Sequence, residues 1–171
     1  MTRYEEFTSP LDTADAAFAG LTAGPSPLSL DGRRIGGGLP RRLIPLDELK
    51  RLLLRRSTWH AAKDAAWADL VRRSRHGGPA WVVGAVGVAL PGLRRVAGQL
   101  AQGYEGDTAD LDAEVLTGFL AALRTVDVTR PAICARLRPR PRHAPRSFRT
   151  GPAMQQAGAH REEVGRDEPP W

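Results

Sequence analysis

Four carboxylates crowd one short stretch of this chain. Asp107, Asp110, Asp112 and Glu114 precede or begin the apolar-periodic segment "DLDAEVLTGFLAALRTVD" at 110–127. Carboxyl groups held this close could act as a proton donor and acceptor pair. Acids also gather in the first turn of a helix, where they satisfy unpaired N–H groups and complement the helix dipole. The pattern favours a helix start over a catalytic pair.

Other reactive residue types occur without the neighbours that their chemistry needs. His60 and Asp64 lie four apart and could share a helix face, but two ligands do not make a metal site. Ser57 and Ser74 have no nucleophile signature around them, and "GAVGVALPG" lacks both the spacing and the lysine of a phosphate loop. The single cysteine, Cys134, excludes an internal disulfide and is predicted to be an ordinary core thiol. We therefore predict no catalytic, cofactor or metal site, no small-molecule substrate and no enzyme.

The N-terminus and the longest apolar stretch of the sequence indicate where in the cell the protein is located. "MTRYEEFTSP" carries acids where a signal peptide needs a basic start and an apolar run. "AWVVGAVGVALPGL" is expected to break at Pro91, which leaves it too short for a bilayer, since crossing takes about 20 residues. The sequence predicts a cytoplasmic protein with no membrane partner.

The formal charge of +6 and the pI near 10.6 are typical of nucleic-acid binding. Much of the excess falls in the segment from 136 to 149, which has no acid, and 138–171 is predicted to be an Arg/Pro-rich disordered tail. Such a tail can meet phosphates, or simply remain solvated. Its composition is also typical of a GC-rich gene translated out of frame, and the coding DNA beyond Leu137 would test that hypothesis. The candidate nucleic-acid-binding residues are Arg136, Arg138, Arg140, Arg142, Arg146 and Arg149.

Helical periodicity between these ends predicts an all-α core over 44–137, a small bundle of four or five helices. Residues 1–43, rich in Gly, Pro, Ser and Ala, are predicted to be a flexible arm with a short extended piece around Leu28–Leu30. Leucines spaced by three and four predict a helix over about 46–56. Ser57 or Thr58 is expected to cap a second helix that runs to about Arg75.

The later elements follow the same reasoning. Residues 80–90 are apolar on every side and predict a central helix, with an inner strand as the alternative. Pro91 is expected to kink or restart the helix before the spacing resumes. Asp107 or Thr108 can cap the helix at 110–127, and a short helix is expected from Pro131 to about Leu137. Three tryptophans are predicted to lie in the core: Trp59, Trp67 and Trp81.

The stretch at 110–127 resembles the helix of bacterial sigma factors that begins with an Asp-Leu pair and a following Glu and ends near a Phe-Asp. The residues in step with that pattern are Asp110, Leu111, Glu114, Gly118, Leu120, Ala122 and Asp127. Val126 stands where an aromatic residue is common, and Ala113 replaces the usual Gln. "WADLV" at 67–71 and "LRRVAGQLAQGYEGD" at 93–107 look like the family's preceding helices, so the resemblance covers roughly 67–137.

The resemblance implies a helix that docks core RNA polymerase. The stripe Leu111, Val115, Phe119, Ala122 and Val126 is expected to face inward, which assigns the opposite side to polymerase. That side comprises Asp110, Glu114, Thr117, Ala121 and Arg124. The family's next helix opens promoters with aromatic and basic residues, whereas here no aromatic lies between Val126 and Phe148. Unpaired bases need stacking faces, so promoter opening is not expected.

The predicted function is therefore a sigma-like, non-enzymatic, transcription-associated protein that binds core polymerase, DNA or both. The alternative is an all-α protein–protein interaction domain with no role on nucleic acid. No cofactor is expected for either.

Overall fold

The computed structural model describes residues 9–139, and most of that range is helical. Five helices have nine residues or more, and two are single turns, which confirms the predicted all-α fold class. The elements in chain order are α1 (Pro10–Thr22), β1 (Ser29–Asp31), α2 (Gly32–Ile35), β2 (Leu43–Pro45), α3 (Leu46–Leu54), α4 (His60–His76), α5 (Pro79–Ala101), α6 (Thr108–Thr125) and α7 (Ile133–Arg136).

The centre of the fold is α5, around which α1, α3, α4 and α6 pack. Its residues from Gly84 to Leu90 are all buried, as an element that is apolar on every side requires. The segment is a helix and not an inner strand. Pro91 lies inside the helix and does not end it, so the predicted break is wrong and α5 runs for 23 residues.

By length and composition α5 could cross a membrane, and 56% of its most apolar window is buried inside the protein. The core helix of a soluble protein passes the same test. In the described residues α5 is covered by four other helices, which is the environment of a core helix.

The N-terminal region packs on this centre through α1. Leu11 and Phe18 are 1% and 2% exposed, and Ser9 caps the helix by accepting a hydrogen bond from the Asp12 N–H at 3.2 Å. The flexible arm predicted for 1–43 is therefore wrong for residues 9–43. The apolar stripe of α1 is narrow and lies among Ala, Gly and Thr, so its composition resembles that of a linker although its spacing suits a helix.

A two-stranded antiparallel sheet fixes the position of the segment that follows α1. Leu30 pairs with Ile44, and both side chains are fully buried. The extended piece predicted around Leu28–Leu30 is confirmed as β1. The connection between the strands holds α2, which Asp31 caps by accepting from the Arg33 N–H at 3.0 Å.

The caps of the middle helices only partly match the predictions. The Thr58 hydroxyl donates to the Leu52 carbonyl at 2.6 Å and does not cap α4. Trp59 occupies the N-cap position of α4, with no side-chain hydrogen bond to the helix, so a cap at Ser57 or Thr58 is wrong. Asp107 does cap α6, as predicted, by accepting from the Ala109 N–H at 2.9 Å.

The last helix, α7, closes the described core. Ile133 and Leu137 are 2% and 0% exposed, and Pro139 is also buried and lies beside Gly118 of α6. The packed core therefore extends two residues beyond the predicted boundary at 137. The rest of the predicted tail lies outside the described residues.

Candidate functional site

The helix α6 buries one side completely. Leu111, Val115, Phe119 and Leu123 are its buried residues, and Phe119 meets Trp67 of α4 edge to face, with ring centroids 6.4 Å apart. Val126, just past the helix end, is also buried, and Ala122 is half-buried. The predicted inward stripe is where the sequence placed it, because residues three and four apart share one helix side.

The opposite side of α6 meets solvent. Asp110, Thr117, Ala121 and Arg124 are exposed. Glu114 is half-buried, and the helical repeat turns it toward Gly118, where Pro139 passes. We call these five residues, Asp110, Glu114, Thr117, Ala121 and Arg124, the α6 outer face. The face follows the helix from its first turn to its last.

A groove runs beside the C-terminal half of this face. Val82 and Leu120 supply apolar lining between α5 and α6, and Arg124 stands at its edge. The volume is about 340 Å³, and the remaining lining residues are Ser74, Arg75 and Leu123. The groove and the α6 outer face share Arg124 and together form a continuous surface.

Arg75 holds this end of α6 in place. Its guanidinium donates to the Leu123 carbonyl at 3.0 Å and to the Val126 carbonyl at 2.6 Å. The Leu123 carbonyl belongs to the last turn of α6, and Val126 is the residue that follows the helix. Carbonyls at a helix C-terminus lack intrahelical donors and carry the negative end of the dipole. One side chain of α4 thus fixes the wall of the groove.

The His60 and Asp64 pair is not a metal site. The Asp64 carboxylate accepts hydrogen bonds from the Ala132 and Ile133 N–H groups at 2.8 and 3.0 Å, while His60 is exposed. Asp64 therefore anchors the start of α7. Within residues 9–139, no cluster of three or more His, Cys, Asp or Glu side chains is placed to hold a metal ion.

The carboxylates of the α6 start do not form a reactive pair either. Asp107 is occupied as the cap of α6, and Asp110 points to solvent on the outer face. Asp112 lines a surface pocket beside Arg94 and Thr108. Their arrangement is that of an acidic helix start.

Cys134 lies at a small cavity lined in part by Lys50, Lys63 and Trp67. Burial raises the pKa of the Cys134 thiol to about 11, and burial also lowers the pKa of Lys63. A thiol that stays protonated at neutral pH is a poor nucleophile. The cavity therefore lacks an activated group at Cys134.

The arginines predicted to bind nucleic acid fall in three groups. Arg136 donates to the carbonyls of Pro131, at 3.2 Å, and Arg130, so its guanidinium is already used by the chain. Arg138 is exposed. The others lie outside the described residues: Arg140, Arg142, Arg146 and Arg149.

The tryptophans differ most from the sequence reading. Trp67 is buried as predicted, but Trp59 is 76% exposed, so its assignment to the core is wrong. Trp81 is half-buried, with the Arg73 guanidinium 4.7 Å from its ring centroid. One feature of the sequence could have indicated that Trp59 is exposed: it lies between Arg55, Arg56 and His60, ahead of the first buried residue of α4.

Comparisons with models of protein families, with curated proteins and with solved structures found no match to this chain.

Proposed function

We propose that this chain is a non-enzymatic, cytoplasmic, transcription-associated protein that docks core RNA polymerase through the α6 outer face. One observation carries the proposal. Within residues 9–139, four of the five residues on the side of α6 that the sigma resemblance assigns to polymerase are exposed, from Asp110 in the first turn to Arg124 in the last, while the opposite side is buried. A partner can therefore reach it without unfolding the bundle.

The matching positions outside this face have local explanations. Gly118 leaves room for Pro139, since a Cβ there would lie 3.2 Å from the proline ring. Asp127 accepts from both the N–H and the hydroxyl of Thr129, at 2.9 and 2.6 Å. Support for docking therefore comes from the outer face and from Leu120 in the groove. Because the segment after Val126 supplies no aromatic residue before Phe148, promoter opening is not part of the proposal.

The groove favours a second candidate, a protein–protein interaction domain with no role on nucleic acid. Val82 and Leu120 offer an apolar strip, and Arg124 offers a charge at its edge. An amphipathic helix with an acid near one end would fit this chemistry. If this candidate is correct, the partner is a protein other than polymerase, and core polymerase does not bind.

The decisive experiment compares binding of purified core polymerase to the wild-type chain and to the double variant Asp110→Lys, Ala121→Arg. Both positions are exposed, so circular dichroism should show a folded protein, because surface substitutions usually matter by less than about 0.5 kcal/mol, or somewhat more for an acid in the first turn of a helix such as Asp110. A long cation in the middle of the face and a reversed charge at its start should abolish retention.

The matched control is Glu105→Lys, Ala17→Arg, which makes the same changes of charge at exposed positions outside the face. It should bind polymerase as the wild type does. Equal loss in both double variants would show that net charge and not the face controls binding. If the wild type does not bind, the sigma-like proposal is rejected and the interaction-domain candidate stands.

A further inference from the structure

The positive charge of this protein is concentrated in a segment far from the arginine-rich tail. Between Asp31 and Asp64 the sequence has nine Lys or Arg residues and four Asp or Glu residues, a net +5 against +6 for the whole chain. The basic residues are Arg33, Arg34, Arg41, Arg42, Lys50, Arg51, Arg55, Arg56 and Lys63. This segment includes α2, α3 and the start of α4.

The four acids of the segment are already engaged. Asp31 caps α2, and Asp64 anchors α7. The remaining two form ion pairs, Glu48 with Arg42 at 2.6 Å and Asp47 with Arg51 at 2.9 Å. Arg33, Arg34, Arg41 and Arg55 are exposed, so their positive charge is accessible to a partner, and of these Arg55 also interacts electrostatically with Glu48.

The fold brings the two halves of this segment together. A Cβ built on Gly37 would lie 2.9 Å from the Ala62 Cβ, and one built on Gly38 would lie 3.8 Å from Cδ1 of Trp59. The glycine loop after α2 thus lies directly against the start of α4. The Arg33 guanidinium donates to the Arg41 carbonyl at 3.1 Å, which joins the two ends of that loop.

Trp59 stands at this junction with 76% of its surface exposed. Its position at the N-cap of α4 holds the backbone in place, and Gly38 beside it has no side chain to cover the indole. An exposed aromatic ring thus lies beside the glycine loop, whose two ends Arg33 and Arg41 join, and four residues after Arg55. We call Arg33, Arg34, Arg41, Arg55 and Trp59 the arginine–tryptophan surface.

We propose that the arginine–tryptophan surface binds single-stranded nucleic acid, with Trp59 stacking on an unpaired base and the arginines meeting the flanking phosphates. The positive charge of this surface favours a polyanion as its ligand. The exposed indole selects a strand whose base faces are free, because aromatic stacking is the sequence-tolerant contact of single-strand binding. A duplex hides those faces. This surface is separate from the α6 outer face, so the inference does not depend on polymerase docking.

The test uses the full chain and fluorescently labelled oligothymidylate or oligouridylate of roughly 12 nucleotides, within the range of common single-strand site sizes, read by anisotropy. Trp59→Ala should weaken binding roughly 5- to 150-fold, which corresponds to one lost base stack. Trp59→Phe keeps an aromatic face and should restore most of the affinity. Tighter binding of oligouridylate would assign the surface to RNA, and the reverse to DNA.

A second pair of variants separates this surface from net charge and from the tail. Arg41→Gln, Arg55→Gln removes two charges from the surface, and Arg72→Gln, Arg95→Gln removes two from exposed positions elsewhere. The first pair should lower the log–log salt slope by about 1.4, from roughly 0.7 per phosphate of a single strand. The second pair should leave binding close to that of the wild type.

Four results would overturn the proposal. The first is wild-type affinity in Trp59→Ala, and the second is equal loss in the two arginine pairs, which would assign binding to overall charge. The third is binding of a duplex with the same dependence on Trp59. Absence of any single-strand binding by the wild type also rejects it.

Discussion

Cys134 is the sole thiol of the chain, so no other cysteine contributes to the measured rate of thiol modification. Its pKa of about 11, against about 8.5 for a free cysteine, should lower the thiolate fraction at pH 8 by a factor on the order of 100. We expect a chromogenic disulfide reagent to modify the folded protein slower by about that factor than the urea-unfolded protein. Equal rates would show that the thiol is not buried.

The same shift has a defined effect on stability. A thiol whose folded pKa is raised stabilises the fold below the unfolded value and loses that contribution as pH rises from about 8.5 toward 11. We expect wild-type stability to fall over this window more steeply than that of Cys134→Ala. Urea denaturation at a series of pH values measures the difference, and parallel curves for the two proteins would contradict it.

Asp64 controls α7 through its two hydrogen bonds to the Ala132 and Ile133 N–H groups. Asp64→Ala leaves both donors without this acceptor, and loss of a capping side chain typically costs about 0.5–2 kcal/mol. We expect a lower melting temperature and faster amide exchange confined to 132–137. Asp110→Ala, at an exposed acid of α6, is the control and should leave exchange at α7 unchanged.

At the scale of one element, two glycines of α5 should respond in opposite ways to the same substitution. A Cβ on Gly87 would lie 1.9 Å from Cδ2 of Phe18, whereas Gly98 has nothing within 4 Å. Gly87→Ala should therefore destabilise the fold by about 1–3 kcal/mol, as overpacking does. Gly98→Ala should stabilise it by about 0.5–1 kcal/mol, the cost of glycine in a helix interior.

Thermal unfolding of both variants checks this prediction. Because both changes add one methyl group to the same helix, the comparison removes any general effect of alanine on α5. A neutral Gly87→Ala would mean that Phe18 does not pack against α5. The contact of α1 with the core would then be placed incorrectly.

At the scale of the whole molecule, the N-terminal region should be required for folding. Residues 9–43 bury Leu11, Phe18, Leu30 and Leu39. At about 1.5–3 kcal/mol for each buried side chain, their removal costs about 6–12 kcal/mol, comparable with the whole stability of a domain. A chain of residues 44–137 should lack the cooperative melting transition that residues 9–139 retain. A cooperative transition in the shorter chain would restore the boundary predicted at residue 44.

Local patterns were sufficient for most helices. Apolar residues at three- and four-residue spacing predicted α3, α4 and α6, and all-round apolar character predicted the central place of α5, because these features reflect burial directly. The Asp107 cap was predictable for the same reason, since it satisfies N–H groups within two residues. The side of α6 left open to solvent also followed from its periodicity.

Contacts between segments that are distant in the sequence determined the structural features that these local patterns did not predict. Gly84 and Gly87 let Leu46 and Phe18 approach α5 closely. This fit between distant segments makes the N-terminal region, whose composition resembles that of a linker, part of the core. No local sequence pattern indicates it. No local pattern indicated the role of Asp64, because the N–H group of Ala132 that it accepts from lies 68 residues away in the sequence. Trp59 is apolar and was therefore predicted to be buried, but no element within residues 9–139 covers its position ahead of α4. Burial depends on neighbours in space and not on residue type. Local periodicity thus defined the helices and their inner sides, whereas contacts between distant segments set which segments cover them and placed an exposed aromatic ring beside an arginine-flanked loop.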